Sequence, residues 1–98
     1  LVWVADNRGG TVSVVDPSIH QVRELVEVEG RPGGIDAGDS TVWVSDTAAG
    51  TVDRIGISSK KVEGDPIRVG PEPGAVAVGG EAVWVANNGD GTVTRIEP

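Results

Sequence analysis

His20 is the only histidine of this 98-residue chain, and cysteine is absent. Those two residue types carry much of the acid–base and nucleophilic chemistry that proteins perform near neutral pH. His20 falls in the turn-like segment Pro17-Ser18-Ile19-His20-Gln21, with no nucleophile or second histidine beside it. A catalytic zinc takes three protein ligands, so one histidine does not make such a site. Without cysteine there are no disulfides and no thiolate metal sites. Ser13, Ser45, Ser58 and Ser59 lie outside any G-x-S-x-G elbow, the strained turn that presents a nucleophilic serine. Asp36 and Asp39 form a carboxylate pair around a short strand. Acid–base work would require a perturbed pKa and a facing pocket.

The oxygen-rich run Asn87-Asn88-Gly89-Asp90-Gly91 has some of the character of a calcium loop. Calcium takes six to eight oxygens, with a distal bidentate glutamate at fixed spacing. No such glutamate follows, and the aligned loops Asp6–Gly10 and Asp46–Gly50 lack a counterpart of Asp90, so the run reads as a turn. Asp6, Asp46 and Asn87 occupy one recurring position, where such side chains bond their own turn backbone. Arg54 and Arg95 recur where the first repeat has Val14. Their stems are expected along apolar surface, with the charged heads in solvent. The expectation is therefore a non-enzyme, with no catalytic residue, metal or cofactor.

Those residues are positioned by a repeat. Residues 2–12 read VWVADNRGGTV, 42–52 read VWVSDTAAGTV and 83–93 read VWVANNGDGTV. Trp3, Trp43 and Trp84 stand 40 and 41 residues apart, and Gly10, Gly50 and Gly91 keep the same spacing. A second pair of anchors agrees, RPGGIDAG at 31–38 and EPGAVAVG at 72–79. Each repeat opens on a Val/Trp-rich strand (Leu1–Ala5, Thr41–Ser45, Ala82–Ala86). A short polar loop and a second strand follow (Thr11–Val15, Thr51–Ile57, Thr92–Ile96), which is a hairpin signature. A third strand is expected at Val22–Val28 and Val62–Val69, and a small-residue strand at Gly34–Ala37 and Gly74–Val78. No segment carries the i, i+3, i+4, i+7 apolar spacing of a helix.

Four short strands in about 41 residues is the arithmetic of a β-propeller blade. In Val2-Trp3-Val4 the valines and the tryptophan point to opposite faces. Both faces are apolar, so both need cover. Face-to-face blades supply that cover, whereas a two-sheet sandwich leaves the period unexplained. The predicted fold is all-β: propeller blades of four antiparallel strands, about 2.5 per chain. They run over 1–30 (incomplete), 31–70 (complete) and 71–98 (incomplete). Lettered from the centre outward, the strands read BCD-ABCD-ABC.

The repeat resembles that of the YVTN/NHL-type β-propellers of bacteria. The match rests on P-G-[GA]-[IV]-x-[AV]-G, V-W-V-[AS]-[DN], G-T-V and the pairs Asp16-Pro17 and Glu97-Pro98. That family includes extracytoplasmic sensor domains of receptor-like serine/threonine kinases, secreted and surface-layer proteins, and the streptogramin-inactivating lyases. The resemblance implies a binding or interaction module outside the cytoplasm. The lyase alternative implies a catalytic histidine with magnesium, and His20 does not sit in a matching motif. A third alternative is a minimal self-assembling unit with no ligand.

Eight Lys/Arg against fifteen Asp/Glu give a net charge of −7, which opposes binding to nucleic acid. No run of eighteen apolar residues suggests a membrane span. The start at Leu1, inside an apolar run, reads as an internal piece of a longer chain. Propellers of four or more blades are the rule. This length therefore calls for further blades of a parent chain or for a second copy, two copies offering six sheets. Ligands of propellers commonly meet the loops at one end, here Asn7, Arg8, Arg31, Asn88 and Asp90.

Overall fold

In the computed structural model, residues 1–97 are described, and Pro98 of the terminal Glu-Pro pair lies outside the described residues. Ten strands run in chain order. They are β1 (Val2–Asp6), β2 (Thr11–Asp16), β3 (Gln21–Glu27), β4 (Pro32–Ala37), β5 (Thr41–Asp46), β6 (Thr51–Gly56), β7 (Ile67–Arg68), β8 (Pro73–Gly79), β9 (Ala82–Asn87) and β10 (Thr92–Ile96). They form three antiparallel sheets: β1-β2-β3 (sheet 1), β4-β5-β6-β7 (sheet 2) and β8-β9-β10 (sheet 3). There is no helix among the described residues. The division into three, four and three strands is the one read from the repeat. The sheets form an open stack.

Each sheet is a meander of hairpins. The β1–β2, β5–β6 and β9–β10 turns close on Gly10, Gly50 and Gly91, at φ +66°, +71° and +71°. An L side chain enters that left-handed region at a cost, and glycine does not. Pro32 and Pro73 open β4 and β8, the strand position where a missing N–H is tolerated. The register slips directly after each of them.

The outer strand of sheet 2 differs from expectation. Val62–Val69 was the predicted span, but β7 is only Ile67–Arg68, with an isolated bridge between Val62 and Ile55. Gly64 sits at φ +72° and Pro66 has no N–H to give the ladder. The chain between the bridge and β7 therefore leaves the sheet.

Two apolar layers hold the stack. Between sheets 1 and 2, Val12, Val14, Val26 and Val28 meet Val42, Val44 and Ile55, with Trp3 packed against them. Between sheets 2 and 3, Trp43 and Val52 meet Val76, Val83, Val85 and Ile96. The alternation in Val42-Trp43-Val44 thus feeds both layers, and sheet 2 is buried on both faces. Each valine so buried contributes on the order of 1.5–3 kcal/mol. Sheet 1 leaves Val2, Val4, Val22 and Leu25 exposed on its outer side. Sheet 3 leaves Trp84 and Val93 exposed on its own.

The central strands β4 and β8 approach closely. A Cβ at Gly34 would run into the carbonyl oxygen of Gly74. The buried Ser45 Oγ accepts from Gly34 N at 2.9 Å and donates to Gly74 O at 2.7 Å. Asp36 Oδ2 accepts from Val78 N at 2.8 Å. The Ser45–Gly74 and Asp36–Val78 bonds join sheet 2 to sheet 3.

Candidate functional site

The three hairpin turns and the two links between sheets gather at one end of the stack. In the first turn Asp6 Oδ1 accepts from Arg8 N (3.2 Å) and Gly9 N (3.0 Å). In the second, Asp46 Oδ1 accepts from Ala48 N (3.0 Å) and Ala49 N (3.1 Å), and from Arg31 N (3.1 Å) in the link from sheet 1. In the third, Asn87 Oδ1 accepts from Gly70 N at 3.1 Å. Its Nδ2 donates to Thr94 Oγ1 (2.8 Å) and Thr92 Oγ1 (3.2 Å). At Asp6 and Asp46 the short side-chain acceptor satisfies N–H groups of its own turn that the ladder cannot reach. Asp6 and Asp46 thus bond their own turns as expected, whereas Asn87 departs from that expectation, binding the link at Gly70 N and the hydroxyls of Thr92 and Thr94.

The five predicted loop residues all lie at this end, and they do not converge on one point. Asn7 Nδ2 donates to Pro32 O at 3.1 Å, tying the first turn to the start of β4. Arg31 O accepts from Thr47 N at 2.9 Å, and Glu72 O accepts from Asn88 N at 3.0 Å. Asp90 Oδ1 accepts from Thr92 N (3.1 Å) and Thr92 Oγ1 (2.6 Å), a closed turn motif. Arg8 and Arg31 are exposed. None of the five lines a cavity of about 400 Å³ between sheets 2 and 3, which lies around Gly38, Trp43, Val78 and Ala82.

The remaining candidates resolve individually. His20 is exposed, at φ +54°, in the turn between β2 and β3. No group of three or more His, Asp or Glu able to hold a metal ion occurs among the described residues. Asp36 serves the seam between sheets, while Asp39 is exposed in the following turn. Arg95 lies over the Trp84 ring at 5.7 Å from its centroid, the cation–π placement that apolar stems and exposed heads permit. Arg54 departs from that reading, because it is half-buried and its Nε has no hydrogen-bond partner. Asp16 is half-buried at a turn start, and bonds from Ser18, then the charge of Arg23, hold its carboxyl below the usual range.

The roles of two residues, Ser45 and Asp53, escape the sequence reading. Ser45 stands where the other repeats have Ala5 and Ala86, and its role depends on a backbone 29 residues away. Asp53 stands where the other repeats have Ser13 and Thr94. It is only 7% exposed, and burial, then the charges of Asp46 and Glu29, push its carboxyl above the usual range. The only sequence signal for either was a break in the repeat consensus.

No family model and no curated protein matches this sequence. In backbone shape the chain is similar to hydrazine synthase of Kuenenia stuttgartiensis, with a TM-score of 0.76 and 18% identity. The match covers 95% of this chain and spans 31% of that one. At that identity the likeness concerns the fold alone.

Proposed function

We propose that the chain is a run of β-propeller blades acting as a non-catalytic binding or scaffold module, completed by further blades of the same kind. The observation supporting this is the repetition of one seam. Trp3, Val12 and Val14 of sheet 1 pack with Val42 and Val44 of sheet 2. Trp43 and Val52 of sheet 2 pack with Val83 and Val85 of sheet 3. Each seam sets the tryptophan-bearing face of one sheet on the valine-bearing face of the next.

The two outer faces are the unmatched halves of that seam. Sheet 3 presents Trp84 and Val93, and sheet 1 presents Val2 and Val4. A head-to-tail contact between copies would cover one with the other, and such contacts build rings when the rotation closes. Two copies supply six sheets, within the usual blade count. Blades of a longer parent chain would supply the same cover. A place outside the cytoplasm follows from the resemblance to YVTN/NHL-type sensor propellers.

Light scattering after size exclusion tests this reading. The expected result is a discrete multiple of 10.0 kDa, a dimer for a six-bladed ring, which Val4→Glu reduces to a monomer. A wild-type monomer at every concentration overturns closure by copies.

A further inference from the structure

Between sheets 1 and 2, at the end that carries the hairpin turns, lies a cavity of about 410 Å³. Glu27 reaches it from sheet 1, Glu29 from the link that follows, and Asp46 and Asp53 from sheet 2. Val28 and Val62 form apolar parts of its wall, and no lysine or arginine lines it. Asp53 is more than nine-tenths buried. Burial and neighbouring negative charge act on its carboxyl, and no hydrogen-bond donor offsets them. An ionised group in that position is costly until a partner arrives.

The fold does not require this arrangement. At the matching corner of sheet 3, Asn87 Nδ2 donates to Thr94 Oγ1 and Thr92 Oγ1, giving a neutral and satisfied set. Sheet 2 places Asp46 for Asn87 and Asp53 for Thr94 in the same hairpin geometry. Two like charges replace a donor and its acceptor. Local rules of this kind are commonly broken at functional sites.

The complement of such a cavity is a cation with apolar surface. The carboxyl groups do not gather as three metal ligands among the described residues. A guanidinium is weakly hydrated, planar and able to engage carboxylates through several N–H groups at once. We propose that this cavity binds a guanidinium group on a short aliphatic stem, with Asp53 and Asp46 as its carboxylate partners. The stem lies against Val28 and Val62. Asp46 has Oδ1 committed to three backbone N–H groups, which leaves Oδ2 for the ligand. The proposal extends the binding-module reading by a ligand class and does not depend on ring closure.

A titration followed by amide NMR tests it, with acetyl-arginine methylamide as the peptide-borne probe and butylguanidinium as the free one. Saturable shifts are expected at Glu27–Glu29, Thr51–Asp53 and Val62, whichever probe binds more tightly. Tighter binding of the first assigns the natural cation to a peptide, and of the second to a small molecule. Asp53→Asn is expected to weaken binding about tenfold, and the exposed Glu29→Gln to weaken it less. Acetyl-citrulline methylamide, isosteric and neutral, should leave the spectrum unchanged. Should Asp53→Asn fail to fold, Glu29→Gln and the citrulline control still decide the matter. Absence of saturable shifts, shifts insensitive to the variants, or equal binding of the citrulline analogue overturns the proposal. Light scattering on the same samples separates the two readings: a monomer that still titrates removes ring closure alone, and an oligomer that does not titrate removes the cavity alone.

Discussion

The β5–β6 and β9–β10 hairpins are built from nearly the same residues, yet they meet different surroundings. Both have a V-W-V core, an Asp/Asn at the turn, a left-handed glycine and a Thr-Val return strand. In the first, Trp43 is 4% exposed between two sheets, while in the second Trp84 is 41% exposed on an outer face. In the first, the corner holds Asp46 and Asp53 beside a cavity, whereas in the second Asn87 and the threonines close on one another. A shared sequence pattern therefore fixes the backbone and leaves the chemistry to two or three exceptional positions. Burial is set by whether the next sheet is present.

The largest expected break in this comparison comes from the tryptophans. Trp43→Ala should cost about 3–5 kcal/mol in any state, and Trp84→Ala less than about 1 kcal/mol in the monomer, read by urea melts of both variants. Equal losses would mean that Trp84 is covered in solution, as head-to-tail assembly requires. Next, Ser45→Ala should cost about 1–3 kcal/mol by leaving Gly34 N and Gly74 O unpaired at the seam, with urea melts as the readout. Asn87→Asp, which makes the third corner resemble the second, should cost about 1–2 kcal/mol at pH 7. Part of that loss should be recovered in melts at pH 3–4, where the new carboxyl takes up a proton.

The smallest effect has the opposite sign. Asp53 has its folded pKa raised, so the folded state holds that proton more tightly than the unfolded state does. The resulting stability is present below the ordinary carboxyl range and is lost as pH rises through the raised value. At pH 7 the ionised Asp53 therefore opposes folding. Asp53→Thr, copying Thr94, should stabilise by on the order of 1 kcal/mol, roughly 4–8 °C in Tm. Thermal melts at pH 3 should show no gain. A loss at pH 7 would mean that Asp53 already has a partner.

The strand count, the three-four-three grouping and the own-turn bonding of Asp6 and Asp46 were legible because each repeats, whereas the bonds of Asn87 to Gly70 N and to Thr92 and Thr94 were not. A 41-residue period carries the hairpins directly, since alternation and turn residues act within a few positions. The outer strand of sheet 2 was misread because Val62–Val69 has a strand's composition, while Gly64 and Pro66 decide the backbone. Ser45 and Asp53 were not legible. One works through the carbonyl of Gly74, the other through Glu29 and Asp46, and such contacts across the chain leave no local spacing. The loop residues Asn7, Arg8, Arg31, Asn88 and Asp90 lie in the turns and links at one end of the stack. Their hydrogen bonds serve the turns and the links.

The polar ties between sheets are unevenly distributed. Sheets 2 and 3 are joined through Ser45 and through Asp36 to Val78 N. Sheets 1 and 2 share the bond from Asn7 Nδ2 to Pro32 O, made by an exposed side chain. Opening free energies within a protein follow such differences in local support. Sheet 1 is therefore expected to peel first, with the amides of Gly34 and Val78 exchanging late, an order that native-state hydrogen exchange checks. On that expectation a pulling force or a protease would open the molecule from its N-terminal side, and the acidic cavity between sheets 1 and 2 would open with it.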